Sequence, residues 1–241
     1  MLLFFYERRK MNYRAIRCYQ NLEKRLYKGE GKYNVPYINP VNIDVSDTPM
    51  ISFNYAMTEK HPENKICHFF VDDYQFERIW YRPDTYVELL KKFKAVISPD
   101  FSIYTDFPDA VRIFNHYRTQ WLGAYLQENG VTVIPDVSWS DESTYDWVFD
   151  GIPKHALVCM STVGCWGNYG NPKGFVDGFN KAMEVLQPSH VLLYGKDYPE
   201  IKFTCPYTVA KNQNIASWEE RKQKKAQEEK EKQKMLPHTD L

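Results

Sequence analysis

Val131–Trp139 reads VTVIPDVSW: a β-branched apolar run behind a glycine, Gly130, that empties into Pro135-Asp136. A run of this length and β-branched content reads as a buried strand, and the Pro-Asp step marks its exit into a polar loop. The chain does nearly the same thing earlier. Ile97-Ser98-Pro99-Asp100-Phe101-Ser102, set against Ile134-Pro135-Asp136-Val137-Ser138, again ends an apolar run in an aspartate followed two positions later by a serine. Between the two, Asp109–Asn129 has helical periodicity. Val111, Phe114, Tyr117, Trp121, Ala124, Tyr125 and Leu126 form its apolar face, and Gly130 is its stop. On this reading Phe114 and Trp121 point into the core and His116 lies at the surface. A strand–helix–strand unit with matched ends predicts a parallel pair whose two aspartates meet at one rim.

The pattern repeats outward. Ile51–Tyr55, Cys67–Val71, Ala95–Ile97, His155–Met160 and His190–Tyr194 are further strand-like runs, with a weak one at Phe203–Val209. Helices are expected over Gln75–Phe93, broken at Pro83 with Asp84 as a cap, over Ser143–Phe149, and over Lys173–Leu186. Alternating helices and buried strands predict an α/β fold with a mainly parallel sheet. Strands at both flanks favour an incomplete or distorted (β/α) barrel, with an open doubly wound sheet as the alternative. No glycine-rich fingerprint follows any strand, which disfavours dinucleotide binding.

Composition sets bounds. The 241 residues carry a formal net charge of zero and 16% aromatics, so no global basic field points to nucleic acid, and an ordered core is expected. No apolar segment is long enough for a membrane span. The five cysteines contain no CxxC pair, and Cys67 and Cys159 lie inside apolar runs as small buried hydrophobes, which fits a reduced cytoplasm. Three regions are read: residues 1–40, a basic N-terminal helix and linker; residues 41–210, a single α/β domain; and residues 211–241, a charged tail with no apolar stripe. The basic helix and the tail are the segments through which a partner, nucleic acid or a host protein, would be contacted.

The run FVDDYQFERIW, the strand ends SPDFS and IPDVSW, the loop STVGCW and the ending VLLYGK occur here in that order. Together they resemble a family of uncharacterised proteins of bacteriophages and integrated mobile elements of Gram-positive bacteria, catalogued as a domain of unknown function. The resemblance spans about residues 35–200. It implies a phage or mobile-element context, hence the host cytoplasm, and it carries no activity.

In parallel α/β folds, binding groups gather at the carboxyl ends of strands. This chain puts there Asp72 and Asp73, Asp100, Asp136, Ser138 and Trp139, Ser161 and Thr162, Trp166, and Tyr194 with Lys196. Asp100, Asp136 and Lys196 are the candidates for chemistry. Asp73, Asp100 and Asp136 would hold a divalent cation such as Mg²⁺, which prefers oxygen ligands and activates water against a phosphoester. The remaining residues would line the ligand. Two carboxylates could instead serve as acid and base on a glycoside, and Pro-Asp after a strand is also ordinary capping chemistry. Ser161 has no GxSxG setting, His68 reads as a core histidine or one that supports a ligand from behind, and Gly164-Cys165-Trp166-Gly167 reads as a lid or ligand platform. Two functions follow: a metal-dependent hydrolase acting on a phosphate-containing substrate, or a non-enzymatic interaction protein.

Overall fold

Apolar runs buried on both faces suit a parallel sheet covered by helices, and most of the predicted runs become such strands. The computed structural model describes residues 26–166 and 170–212. The basic N-terminal helix predicted before Leu26, and the tail beyond Asn212, lie outside the described residues. A small antiparallel hairpin, β1 (Gly29–Glu30) with β2 (Val35–Pro36), leads into the body. It turns through Gly31 and Asn34, both in the left-handed region. Val35 and Ile38 are fully buried, so residues expected to be linker contribute to the core.

The body follows as β3 (Pro49–Ser52), β4 (Ile66–His68), α1 (Arg78–Tyr81), α2 (Asp84–Leu90) and β5 (Ala95–Ile97). Then come α3 (Asp109–Glu128), β6 (Val133–Ile134), β7 (Leu157–Ser161) and α4 (Pro172–Leu186). Last are β8 (His190–Tyr194), β9 (Tyr207–Val209) and β10 (Lys211–Asn212). One parallel sheet has the order β10-β3-β4-β5-β6 and a second the order β7-β8-β9. A single parallel bridge, Asp136 to Cys159, links β6 to β7. On the other side one stretch of chain serves both sheets. Its first part, β9, pairs with β8, and its last part, β10, pairs with β3.

The two sheets share one inner core. Met50, Ile66, Ala95, Ile97, Ile134, Leu157, Cys159, Leu192, Tyr194 and Ala210 form a single cluster, with Val45 beside them. The alternate residues point outward. Ile51, Cys67, Val96 and Val133 pack under Trp80, Leu90, Trp121 and Leu126, while Val158, Met160, Val191 and Leu193 pack under Phe175, Phe179, Met183 and Leu186. An inner cluster drawn from both sheets is the mark of an incomplete, distorted (β/α) barrel rather than a flat open sheet.

Several local expectations change. The strand at Ile51 stops at Ser52, whose hydroxyl accepts the Asn54 N–H and starts a 3₁₀ turn over Phe53–Thr58. Pro83 precedes α2 and Asp84 is its first residue rather than its cap. Of the predicted helix Ser143–Phe149 only Ser143 and Thr144 are helical, within a 3₁₀ turn over Glu142–Thr144. The last strand runs on to Asn212. On α3, Trp121 is 2% exposed as expected, but Phe114 is 36% exposed and His116 only 4%. The buried residues of the helix include Arg112, Asn115, His116, Thr119 and Gly123, the first four facing loops beyond the strands. Gly123 lies against Ile38, since a Cβ there would fall 2.2 Å from Ile38 Cδ1. The buried polar groups find partners far along the chain: His116 Nε2 with the Asp150 carbonyl at 3.0 Å, and Arg112 with Asp141 at 3.2 Å.

Candidate functional site

Two prolines and one serine bring the matched strand ends together. Beyond β5 and β6, the Ser98 N–H donates to the Ile134 carbonyl (3.0 Å), and the Asp136 N–H donates to the Ser98 hydroxyl (2.8 Å). On the far side, Cys159 N–H donates to the Pro135 carbonyl (2.8 Å) and Val137 N–H to the Cys159 carbonyl (2.9 Å). Proline lacks the N–H that would prolong the ladder, so the chain turns out of the sheet at this point. Asp136 is thereby fixed in the seam between the two sheets.

The Asp100 and Asp136 carboxyl groups hydrogen-bond to each other, and the Ser138 side chain contacts both. Asp136 is 2% exposed, and its Oδ2 is buried with no N–H or O–H partner. Asp100 is half-buried. Burial, then the mutual charge of the carboxylates, pushes Asp136 well above the usual carboxylate range. Burial, together with the nearby Asp73 charge, lifts Asp100 to about 6. Two carboxyls in contact, with no cation among the charges acting on either, hold one proton between them over an acid-to-neutral range.

Asp73 stands close enough for its charge to reach Asp100, but its oxygens accept from the Ser102 N–H (3.2 Å) and hydroxyl (2.8 Å). Ser102 in turn gives its carbonyl to Asn115 Nδ2 at 2.6 Å. Arg118 donates to Asn115 (2.6 Å) and to Glu77 (3.1 Å) and lies 3.8 Å from the Phe101 ring centroid. Arg118 therefore anchors the loop that carries Asp100 rather than neutralising the pair.

Other predicted residues are placed differently. Asp72 is exposed and accepts from Gln75. Lys196 is exposed, and its Nζ lies 5.2 Å from the Tyr198 ring centroid, away from the carboxyl pair. The Thr162 hydroxyl bonds the Lys196 N–H and carbonyl, each at 2.9 Å, and so ties two loops together. The Ser161 hydroxyl accepts from Val163 N–H. Trp139 packs on Phe175, and a Cβ at Gly178 would fall 2.0 Å from its indole nitrogen. Trp166 stacks on Tyr198 at 3.9 Å. Tyr194 stacks on Phe70 and lies tilted against His68. Cys165 lies in the loop after β7, where burial and the Asp100 charge push its thiol up to about 11, the opposite of an activated nucleophile.

Among the described residues, no three His, Cys, Asp or Glu side chains gather into a metal-binding group. A concavity of about 700 Å³ lies at the opposite end of the strands, between Pro40–Ser46 and the starts of β7 and β8. Two of its ionisable groups are committed locally, Asp44 to Ser46 and His190 to Thr208. The carboxyl pair, with its perturbed protonation and unmet oxygen, is the better candidate for chemistry. No helix among the described residues is long and apolar enough to cross a membrane.

Comparison with known proteins gives context without chemistry. A "Gene 1 protein" of Mycobacterium phage L5 is 37% identical over 185 residues, covering 73% of this chain and 80% of that protein. A "Gene 1 protein" of Mycobacterium phage D29 is 34% identical over 161 residues, covering 64% of this chain and 60% of that protein. No solved structure gives a significant match. The family model described as "Domain of unknown function (DUF4417)" matches residues 27–212, which take in the hairpin, both sheets and the carboxyl pair, and the chain belongs to that family.

Proposed function

We propose that this phage-family protein is a hydrolase of the host cytoplasm whose reaction centre is the Asp100–Asp136 pair, acting on a phosphate-containing substrate with a divalent cation. The observation that carries the reading is the buried contact between the two carboxyls at the strand ends. Mg²⁺ commonly takes one or two carboxylates and completes its sphere with water and substrate phosphate, so two aspartates suffice. When bound, the cation supplies water activation and polarises a phosphoryl oxygen. The chain's own part is to hold the two carboxyls together, through Ser98 and Ser138, and to store the proton that a cation displaces. Glycoside hydrolysis fits less well, because it uses carboxyls roughly 5–9.5 Å apart, and these are in contact.

Calorimetric titration with Mg²⁺ and Mn²⁺ at pH 6, in buffers of different ionisation enthalpy, tests the reading. The expected result is release of up to about one proton per cation. Asp100→Asn should lose both this release and hydrolysis of phosphodiester and nucleotide substrates. Absence of cation binding by the wild-type protein would overturn it. The second reading is an interaction protein that binds nucleic acid or a host protein. It draws on exposed Tyr55, Met57, Tyr74 and Tyr104 in the loops beyond β3, β4 and β5. It predicts that Asp100→Asn leaves function in the phage intact.

A further inference from the structure

A buried N–H on the inner face of β4 has no partner. His68 is 1% exposed, and its Nε2 makes no hydrogen bond. The other ring nitrogen, Nδ1, accepts the Phe70 N–H at 3.2 Å, which assigns the ring hydrogen to Nε2. Buried donors in native proteins are almost always satisfied, and one left unmet costs about 1–3 kcal/mol. His68 lies against Tyr194 (4.3 Å between centroids) and Phe70 (5.4 Å), and Phe70 also stacks on Tyr194 (4.9 Å). Phe70 is the half-buried member of this cluster, while His68 and Tyr194 are buried.

The position is at the mouth of the barrel. Ile66 pairs with Ala95 and Cys67 with Val96, so His68 lies alongside Ile97, three residues before Asp100. Three residues of extended chain span about 10 Å. The unmet donor is thus one strand over from Asp100 and about 10 Å deeper along the strand direction, a span for a substrate that carries a phosphate group beyond the reacting ester.

We infer that His68 is a binding residue of the proposed site, donating its Nε2–H to a phosphate oxygen of the substrate once the Phe70 ring swings aside. The inference rests on the hydrolase reading for the identity of the ligand. Chemistry favours an oxygen acceptor. A neutral N–H cannot bind a cation, and it does not compete with a divalent ion for the carboxyls. Burial drives the imidazole pKa down to about 3, so His68 stays a neutral donor throughout the range in which the carboxyl pair titrates.

The test is long-range ¹H–¹⁵N correlation NMR of the full-length protein labelled at histidine, titrated with inorganic phosphate in the presence of Mg²⁺. The Nε2 resonance of His68 is expected to move on phosphate addition. The dissociation constant for phosphate should weaken about tenfold in His68→Phe, which keeps the ring stack, and should recover to within about threefold in His68→Gln, which restores an amide N–H. An Nε2 signal that stays still through the titration, or equal phosphate affinity in wild type and His68→Phe, would overturn the inference. If His68→Phe fails to fold, the wild-type signal alone decides. Proton release on Mg²⁺ binding is scored separately in the same samples. Release without movement at His68 sinks only this inference, whereas movement without release sinks only the cation reading.

Discussion

Replacing Asp136 by asparagine isolates the electrostatic cost of the carboxyl pair. The amide keeps the shape, offers an N–H to Asp100, and leaves the backbone bond to Ser98 intact. In the wild type, Asp100 is lifted from an ordinary 3.8 to about 6, and Asp136 is lifted well above the ordinary value. A raised acid binds its proton more tightly folded than unfolded. The stability it contributes is therefore present below about 3.8 and lost as pH rises through about 6. The whole interval from 3.8 to about 6 corresponds to about 3 kcal/mol. His68 and His116, held neutral by burial, act in the other direction, because unfolding lets them take up protons as pH falls below 6.5. The informative quantity is thus the difference between the two proteins. Asp136→Asn should gain on the wild type by about 1.4 kcal/mol between pH 5 and pH 8, nearly all of it as pH passes 6, or about 3–6 °C in Tm for a chain of this size. Thermal unfolding in a pH series measures it. If the Tm difference between the two proteins is the same at pH 5 and pH 8, the shared-proton account is wrong.

Three more outcomes follow from packing. Trp121→Ala should cost about 3–5 kcal/mol by urea unfolding, whereas Phe114→Ala, at the rim of the same helix, should cost under about 1.5 kcal/mol. Gly178→Ala would drive a methyl into the Trp139 indole and should cost about 1–3 kcal/mol, with a shift in tryptophan emission. A chain ending at Asn214 should keep its Tm, because the residues beyond carry no apolar stripe. One ending at Thr208 should lose several degrees, because the pairing of β10 with β3 goes with it.

What was legible in the sequence follows from the range of the forces involved. Strand runs and helix periods are local, so the alternation that dictates parallel sheets could be read directly. The Pro-Asp echo at Asp100 and Asp136 could be read too, because a proline that ends a ladder acts on its own neighbours. The inward face of α3 could not be read. It buries Arg112, Asn115 and His116 against Asp141, Ser102 and Asp150, partners that only the tertiary fold supplies. Lys196 was expected beside the carboxyls on its position at a strand end, but the loop after β8 carries it toward Tyr198. The capture of Asp73 by Ser102 joins two loops, and no spacing along the chain announces it.

The segment that carries β9 and β10 comes late in the chain yet covers exposed flanks of both sheets. Until Lys211 and Asn212 have been synthesised, β3 and β8 each present a bare parallel edge lined by apolar residues, and such edges recruit strands from other molecules. Messages cut short before this segment should therefore yield aggregates rather than soluble partial folds. In a cell crowded with newly made copies, the wait for the closing strand is the period of greatest risk of self-association.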